Sequence, residues 1–309
     1  LENNMNKLAI VIPYYKIDFF EETLKSVADQ IDIRFTLYIG NDASPNNPLP
    51  LIQKYFPDGN YHYFNYQENL GGNNLASQWE RILENVTEDW FQILGDDDMV
   101  LDNFVEEFYE KITLIESKNI YVIKVSQAFI NKKSEKTTTY SKYDEVITTN
   151  DFWNFKFNLG HRSSLSEHIF NKEIYEKYKF EKYPLAWHSD DMAVIKFSIP
   201  NGIYYLDKTK VYVRFSEKSI SGQVNDKNNN DLKNIATYQF YADMLNHYIK
   251  YLGKKEARVT LEKHFYRMWN LKFRNNLNLI SIYMYLNEYR KIITIPYKNY
   301  QFNNNAKKN

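Results

Sequence analysis

The sequence predicts an α/β protein: a mostly parallel sheet flanked by helices, followed by a helical C-terminal extension. Three observations lead there. Short apolar runs of strand length alternate with segments whose apolar residues recur at helical spacing. The polar motifs gather just after the strand-like runs, where open α/β sheets bind ligands. The 309 residues are 43% hydrophobic and 25% charged, values for a folded chain that exclude wholesale disorder.

Lys7 to Pro13 is almost wholly apolar, as expected of a central strand buried on both faces. Asp18 is the expected cap of the next helix, with Glu21 as its capping-box partner and Phe20, Leu24, Val27 and Ala28 facing inward. Phe35 to Ile39 is a second strand ending at Gly40-Asn41-Asp42. Tyr61 to Tyr66 is a third strand. Asn69-Leu70-Gly71-Gly72 then reads as a tight turn needing positive φ or close backbone approach, before a helix carrying Leu75, Trp79, Ile82 and Val86. Asp89 to Leu94 is a strand ending in Gly95-Asp96-Asp97-Asp98. Asp102 opens a helix, and Ile120 to Val125 is a further strand. Beyond it the pattern gives a short helix at 151–157, a strand at 164–169, a helix at 190–197 and two strand-like runs at 203–206 and 211–215. The Asn/Asp/Lys-rich stretch 222–234 reads as a loop or hinge, and 235–252, 256–273 and 277–289 as amphipathic helices. The expected division is 1–222 for the α/β domain and 223–309 for the helical extension.

The chain contains no Cys, which excludes disulfides, thiolate nucleophiles and Cys-bound zinc. Its apolar runs fall far short of the ~20 residues that span a bilayer, and the N-terminal residues lack signal-peptide order. The expectation is a cytoplasmic protein, soluble or peripheral on the inner face of the plasma membrane. A net charge of zero conceals an asymmetry: residues 251–309 hold 12 Lys/Arg against 3 Glu. Three readings of this basic, aromatic tail follow: a helical appendage packed on the first domain, a peripheral contact with anionic membrane, and, last, nucleic acid, which is not expected as a partner.

Three successive carboxylates on a turn repel one another, and a divalent cation removes that repulsion. Mg²⁺ takes one or two protein carboxylates and leaves its other positions to water and phosphate. In an extended turn Asp96 and Asp98, two apart, point the same way. The competing reading is a solvated turn. The company of other polar strand ends favours a site.

Six motifs in order resemble those of family 2 glycosyltransferases: Ala9-Ile10-Val11-Ile12-Pro13-Tyr14-Tyr15 with the helix that follows; Asn41-Asp42-Ala43-Ser44; Asn69-Leu70-Gly71-Gly72; Leu94-Gly95-Asp96-Asp97-Asp98, resembling the family's DxD motif; Ser189-Asp190-Asp191; and Arg214 through Ser219-Ile220-Ser221. The resemblance spans about 7–222. It implies the nucleotide-sugar-binding GT-A fold and inverting transfer of a sugar, from a UDP-sugar by family habit, to a saccharide or lipid-linked saccharide in bacterial surface-polysaccharide assembly. It implies that Pro13, Tyr15 and Asp42 hold the nucleotide base, that Asp96 binds ribose or assists the metal, that Asp98 ligates Mg²⁺ or Mn²⁺, and that Asp191 is the catalytic base. Trp187, His188 and Asp190 are the acceptor-side candidates. Trp187 and His188 also have ordinary packing readings.

Two positions depart from the family pattern. Asp190 stands where the family has Glu. Phe215-Ser216 follows Arg214 where many members place a His, so Arg214 or Lys218 is the candidate counter-charge for the diphosphate. The rival readings are a nucleotidyltransferase and a non-catalytic nucleotide- or carbohydrate-binding protein on the same fold.

Overall fold

The computed structural model describes residues 6–137, 142–215, 222, 226–253, 255–260 and 262–263. Nine strands form one sheet: β1 (Leu8–Tyr14), β2 (Phe35–Asp42), β3 (His62–Tyr66), β4 (Trp90–Ile93), β5 (Met99–Val100), β6 (Val122–Ile130), β7 (Val146–Ile147), β8 (His168–Asn171) and β9 (Ile203–Arg214). Their order is β3-β2-β1-β4-β8-β6-β9-β5, with β7 also on β9. The pairs β1–β2, β2–β3, β1–β4 and β6–β9 are parallel. β8 is antiparallel to both its neighbours, so β3, β2, β1, β4, β6 and β9 all run the same way.

Strand alternation explains why β1 is apolar throughout. Leu8, Ile10 and Ile12 enter one core, with α1 (Phe20–Ala28) and α4 (Phe104–Ser117). Ala9 and Val11 enter the other, with α3 (Gly71–Leu83) and α7 (Ser189–Ser198). With both faces covered, Leu8 to Ile12 are all buried.

Further helices are α2 (Leu49–Tyr55), α5 (Thr149–Trp153), which runs into a π turn at Asn154–Asn158, α6 (Lys172–Tyr178) and α8 (Lys227–Asp243). Four local expectations are corrected. α1 starts after Phe19 with no side-chain cap, and Glu21 bonds Lys54 and Tyr55 instead. The expected strand 164–169 divides into a 3₁₀ turn, Leu165–Glu167, and β8. The two runs in 203–215 are one strand whose pairing with β6 jumps from Leu206 to Lys210. The expected loop 222–234 is helical from Lys227, capped by Asp226, whose side chain accepts from the Asn229 amide.

α8 does not stand apart. Ala236, Phe240, Tyr241 and Met244 belong to the core that contains Ala9 and Val11. Trp153 Nε1 donates to Thr260 Oγ1 at 2.9 Å, and Thr260 is buried, so the described residues of the extension pack on the first domain. The tail beyond, with most of its charge, and the expected helix at 277–289 lie outside the described residues. No helix among the described residues is long and apolar enough to cross a membrane.

Candidate active site

The site forms at the carboxyl edge of the parallel strands. β1 ends at Tyr14, β2 at Asp42, β4 just before the acidic turn, and β9 at Arg214. β8 runs the other way, so the turn that precedes it, Leu165–Glu167, lies at the same edge.

The acidic turn is closed by Asp98 N–H donating to Gly95 O at 3.1 Å. A closed turn does not alternate, so the expectation that Asp96 and Asp98 point the same way fails. Asp96 Oδ2 accepts from the Tyr15 and Lys16 amides, both at 2.7 Å. Asp98 turns to the other wall, accepting from Ser166 Oγ at 2.5 Å through Oδ2 and from Arg214 N–H at 2.8 Å through Oδ1. Burial, reinforced by Asp97, pushes the Asp96 carboxyl up to about 7 and the Asp98 carboxyl up to about 8.

Arg214 does not serve as the diphosphate counter-charge. Its side chain is wholly buried. Its guanidinium donates to Asp97 O at 2.9 Å, Asn131 O at 2.9 Å, Glu22 Oε2 at 2.9 Å and Ser134 Oγ at 3.2 Å. It fastens the acidic turn from behind. The alternative, Lys218, lies outside the described residues. Lys16, just past the end of β1, opposes the upward shift that burial gives the Asp96 and Asp97 carboxyls, and Arg214 does the same for Asp97.

Pro13 lies in β1 opposite Gly40, and Tyr15 is 39% exposed beyond it. The Tyr15 carbonyl accepts from Ser44 Oγ at 2.6 Å. Asp42 is buried and faces the start of α3. Its oxygens accept from the Leu70 and Gly71 amides, each at 2.8 Å, and from Arg81. Gly71 is needed for close approach, not for positive φ: a Cβ there would stand 2.5 Å from Asp42 Oδ2. Asp42 thus sets the loop beside the nucleotide-base candidates.

On the far wall, α7 starts after His188, which is held at φ 71°. Asp191 is 3% exposed. Its Oδ1 accepts from Lys156 Nζ, and its Oδ2 bonds His188 Nδ1 at 2.7 Å. Burial would raise this carboxyl, but Lys156 and His188 outweigh it and hold the group well below the usual carboxylate range. His188 Nε2 lies 3.2 Å from Thr237 Oγ1, and its ring stacks on Phe240 at 4.6 Å, so α8 braces it. Trp187 is half-buried with Lys233 Nζ 5.0 Å from its ring centroid. Asp190 is half-buried, and no side chain among the described residues hydrogen-bonds or ion-pairs with it. Burial and the adjacent Asp191 push its carboxyl up to about 7.

The 3₁₀ turn joins the two walls. Ser166 bonds Asp98, Ser163 Oγ donates to Glu167 Oε1 at 2.6 Å, and the Ser163 carbonyl accepts from Lys156, the partner of Asp191. Ser166, Lys156, Arg81 and Thr237 were missed by the sequence reading. None lies in a motif, and each is identified only by the partner that the fold brings to it.

Comparison with known families agrees with this architecture. Residues 9–178, more than half of the chain, match glycosyl transferase family 2. The chain belongs to this family. Its GT-A fold is shared with crystal structures of S. aureus TarS. One matches with TM-score 0.60 at 15% identity, over 85% of this chain but only 43% of that one. TarS 1-349 in complex with UDP matches with TM-score 0.61 at 14% identity, over 88% of this chain and 76% of that one. TarS 1-349 in complex with UDP-GlcNAc matches with TM-score 0.61 at 14% identity, over 91% and 79%. Identities this low carry the fold alone. No curated protein sequence matches.

The donor set of the acidic turn suits Mg²⁺ or Mn²⁺. It consists of hard carboxylate oxygens crowded enough to raise one another's proton affinity. Among the described residues no three His, Asp or Glu side chains form a protein cage. Mg²⁺ itself needs only one or two protein carboxylates where phosphate oxygens and water fill its other positions.

Proposed function

We propose that this chain is a metal-dependent, inverting glycosyltransferase that moves a sugar from a UDP-sugar to the hydroxyl of a saccharide or lipid-linked saccharide. The observation that carries the reading is the meeting of two carboxylate groups across one sheet edge. The acidic turn Asp96–Asp98 forms one wall and Asp190-Asp191 the other, joined through Ser166, Ser163 and Lys156. Family membership supports sugar transfer over nucleotidyl transfer. The UDP and UDP-GlcNAc complexes of the structurally similar TarS support the donor class.

In this reading the exposed ring of Tyr15 and the loop set by Asp42 hold the nucleotide base. Asp98 is the residue for Mg²⁺ or Mn²⁺, with Asp96 beside it fastening the turn to the end of β1. Bound there, the ion would offset the charge that gathers on the leaving diphosphate. Trp187 offers an apolar face and an N–H to an acceptor sugar. A carboxylate of the Asp190-Asp191 pair takes the proton of the acceptor hydroxyl as its oxygen bonds to the anomeric carbon. Attack from the side opposite the diphosphate inverts that carbon.

The test is UDP release from UDP-glucose, UDP-galactose and UDP-N-acetylglucosamine in the presence of Mn²⁺, with and without excess EDTA. Metal-dependent release from at least one is expected. Binding of these donors with no release would favour the non-catalytic reading, and release unaffected by EDTA would remove the metal.

A further inference from the structure

We propose that Arg162 is the cation that holds the diphosphate of the donor in this site, with Phe129 and Phe215 as the platform that aims it. The inference rests on the nucleotide-sugar reading and names the counter-charge that Arg214 does not supply.

The position of Arg162 is set by the two groups that bond Asp98. Arg162 precedes the 3₁₀ turn that joins the two walls, upstream of Ser166, whose Oγ donates to Asp98 Oδ2. Its carbonyl accepts from Gln127 Nε2 of β6, which pins the backbone at the carboxyl edge. Its guanidinium lies over two rings, 4.9 Å from the Phe129 centroid and 5.8 Å from that of Phe215. Phe129 is next to the last residue of β6. Phe215 follows Arg214, whose N–H donates to Asp98 Oδ1. Through the chain on one side and through Phe215 on the other, Arg162 adjoins both partners of Asp98.

Charge separates Arg162 from the other cations near this edge. Arg81 pairs with Asp42, Lys156 with Asp191, Lys124 with Glu167, and the buried Arg214 with Glu22. Lys16 offsets the acidic turn itself. Arg162 is exposed, and no side chain among the described residues hydrogen-bonds or ion-pairs with its guanidinium. A guanidinium over aromatic rings keeps its N–H groups available, in a fork that matches two phosphate oxygens. The rings also restrict the side chain before a ligand arrives, so less freedom is lost on binding. Phe215 thereby acquires a role. Where the family pattern has a His that reaches phosphate itself, this chain has a ring that carries an arginine. When the bond from the anomeric carbon to the diphosphate oxygen breaks, its electron pair leaves with the diphosphate. The added charge then falls beside a fixed cation, which favours the departing group over the bound donor.

The experiment uses the full chain and calorimetric titration with UDP, in Mn²⁺ and again in EDTA. Uridine is the phosphate-free control, and thermal melting checks folding. Arg162→Ala removes no ion pair and no side-chain hydrogen bond, so it is expected to melt like the parent and to bind uridine as the parent does. Its UDP affinity should fall roughly 10–100-fold, the range for a lost hydrogen bond to a charged group. Arg162→Lys should keep part of the affinity, because it retains the charge and loses the fork. Arg162→Glu should bind UDP more weakly than Arg162→Ala. Phe215→Leu should lower UDP affinity in the same direction by less. The same order in EDTA sets the effect apart from the metal. Unchanged UDP affinity in Arg162→Ala, or equal losses for uridine and UDP, would overturn the assignment, while UDP binding by the parent would leave the donor reading intact. A parent that does not bind UDP would contradict the donor reading itself, and the assignment with it.

Discussion

Lys124 and Glu167 meet in the middle of the sheet, 2% and 0% exposed, with Ser163 also donating to the carboxylate. Burial draws the lysine down and the glutamate up, and each partner opposes the shift of the other. Removing one member of such a pair leaves an uncompensated buried charge, so Lys124→Met should cost about 3–5 kcal/mol in urea denaturation. Lys124→Met combined with Glu167→Leu should recover most of that loss, because apolar replacement of the whole pair is often neutral. At this scale the sequence was legible only where charge interrupted an apolar pattern. The acidic turn stood out because it ends a strand. Lys156 did not, because Asn154-Phe155-Lys156-Phe157-Asn158 carries no periodic or motif signal and its partner lies 35 residues away. Arg214 was seen as a family position, yet its burial reverses the role expected of it.

Among the elements, α8 departs most from the sequence expectation. Asn and Asp disfavour helix interiors, so a run rich in both read as a loop. Tertiary contacts override that preference: Asp226 caps the start, and Ala236, Thr237, Phe240 and Tyr241 are buried. Phe240 packs on Trp153, Phe157 and His188. Phe240→Ala should destabilise the fold by about 3–5 kcal/mol. It should also lower transfer more than UDP binding, because the bracing of His188 serves the acceptor wall. Parallel calorimetry and UDP-release measurements check this, and equal losses in both would detach α8 from the site. β9 misled for a related reason. Asp207-Lys208-Thr209 falls where the pairing with β6 skips, so a polar bulge read as a break between two strands. The strands β1, β2 and β4 were legible because each carries a short, largely apolar run closed by a polar turn, while β3 mixes aromatic with polar residues.

For the whole molecule, the convergence of polar strand ends on one edge followed from strand direction alone. The wall made by α7, α8 and the 3₁₀ turn did not, since it depends on β8 running against its neighbours. The charge gathered at that edge sets the pH behaviour of the chain. Asp96 and Asp98 have folded-state pKa values of about 7 and about 8, above their ordinary 3.8. Between those limits the folded state holds protons that the unfolded state has lost, so stability from these groups falls as pH rises from about 4 to about 8. Asp191, held low, acts in the opposite sense, its stabilisation being lost only as pH falls below 3.8. In metal-free buffer the melting temperature should therefore decline from pH 5 to pH 8. Mn²⁺, which competes with protons for the same carboxylates, should raise it more at pH 8 than at pH 5. Thermal melts across that range, with and without Mn²⁺, check both statements.

If the acidic turn holds the diphosphate of a nucleotide donor through a divalent ion, UDP affinity depends on both that ion and Asp98. Calorimetric titration of UDP into the parent and into Asp98→Asn, each with and without Mn²⁺, tests it most directly. Mn²⁺ should strengthen UDP binding to the parent, and Asp98→Asn, which replaces an anionic ligand by a neutral amide, should lose that gain while staying folded. Equal Mn²⁺-dependent affinity in the two proteins would contradict it.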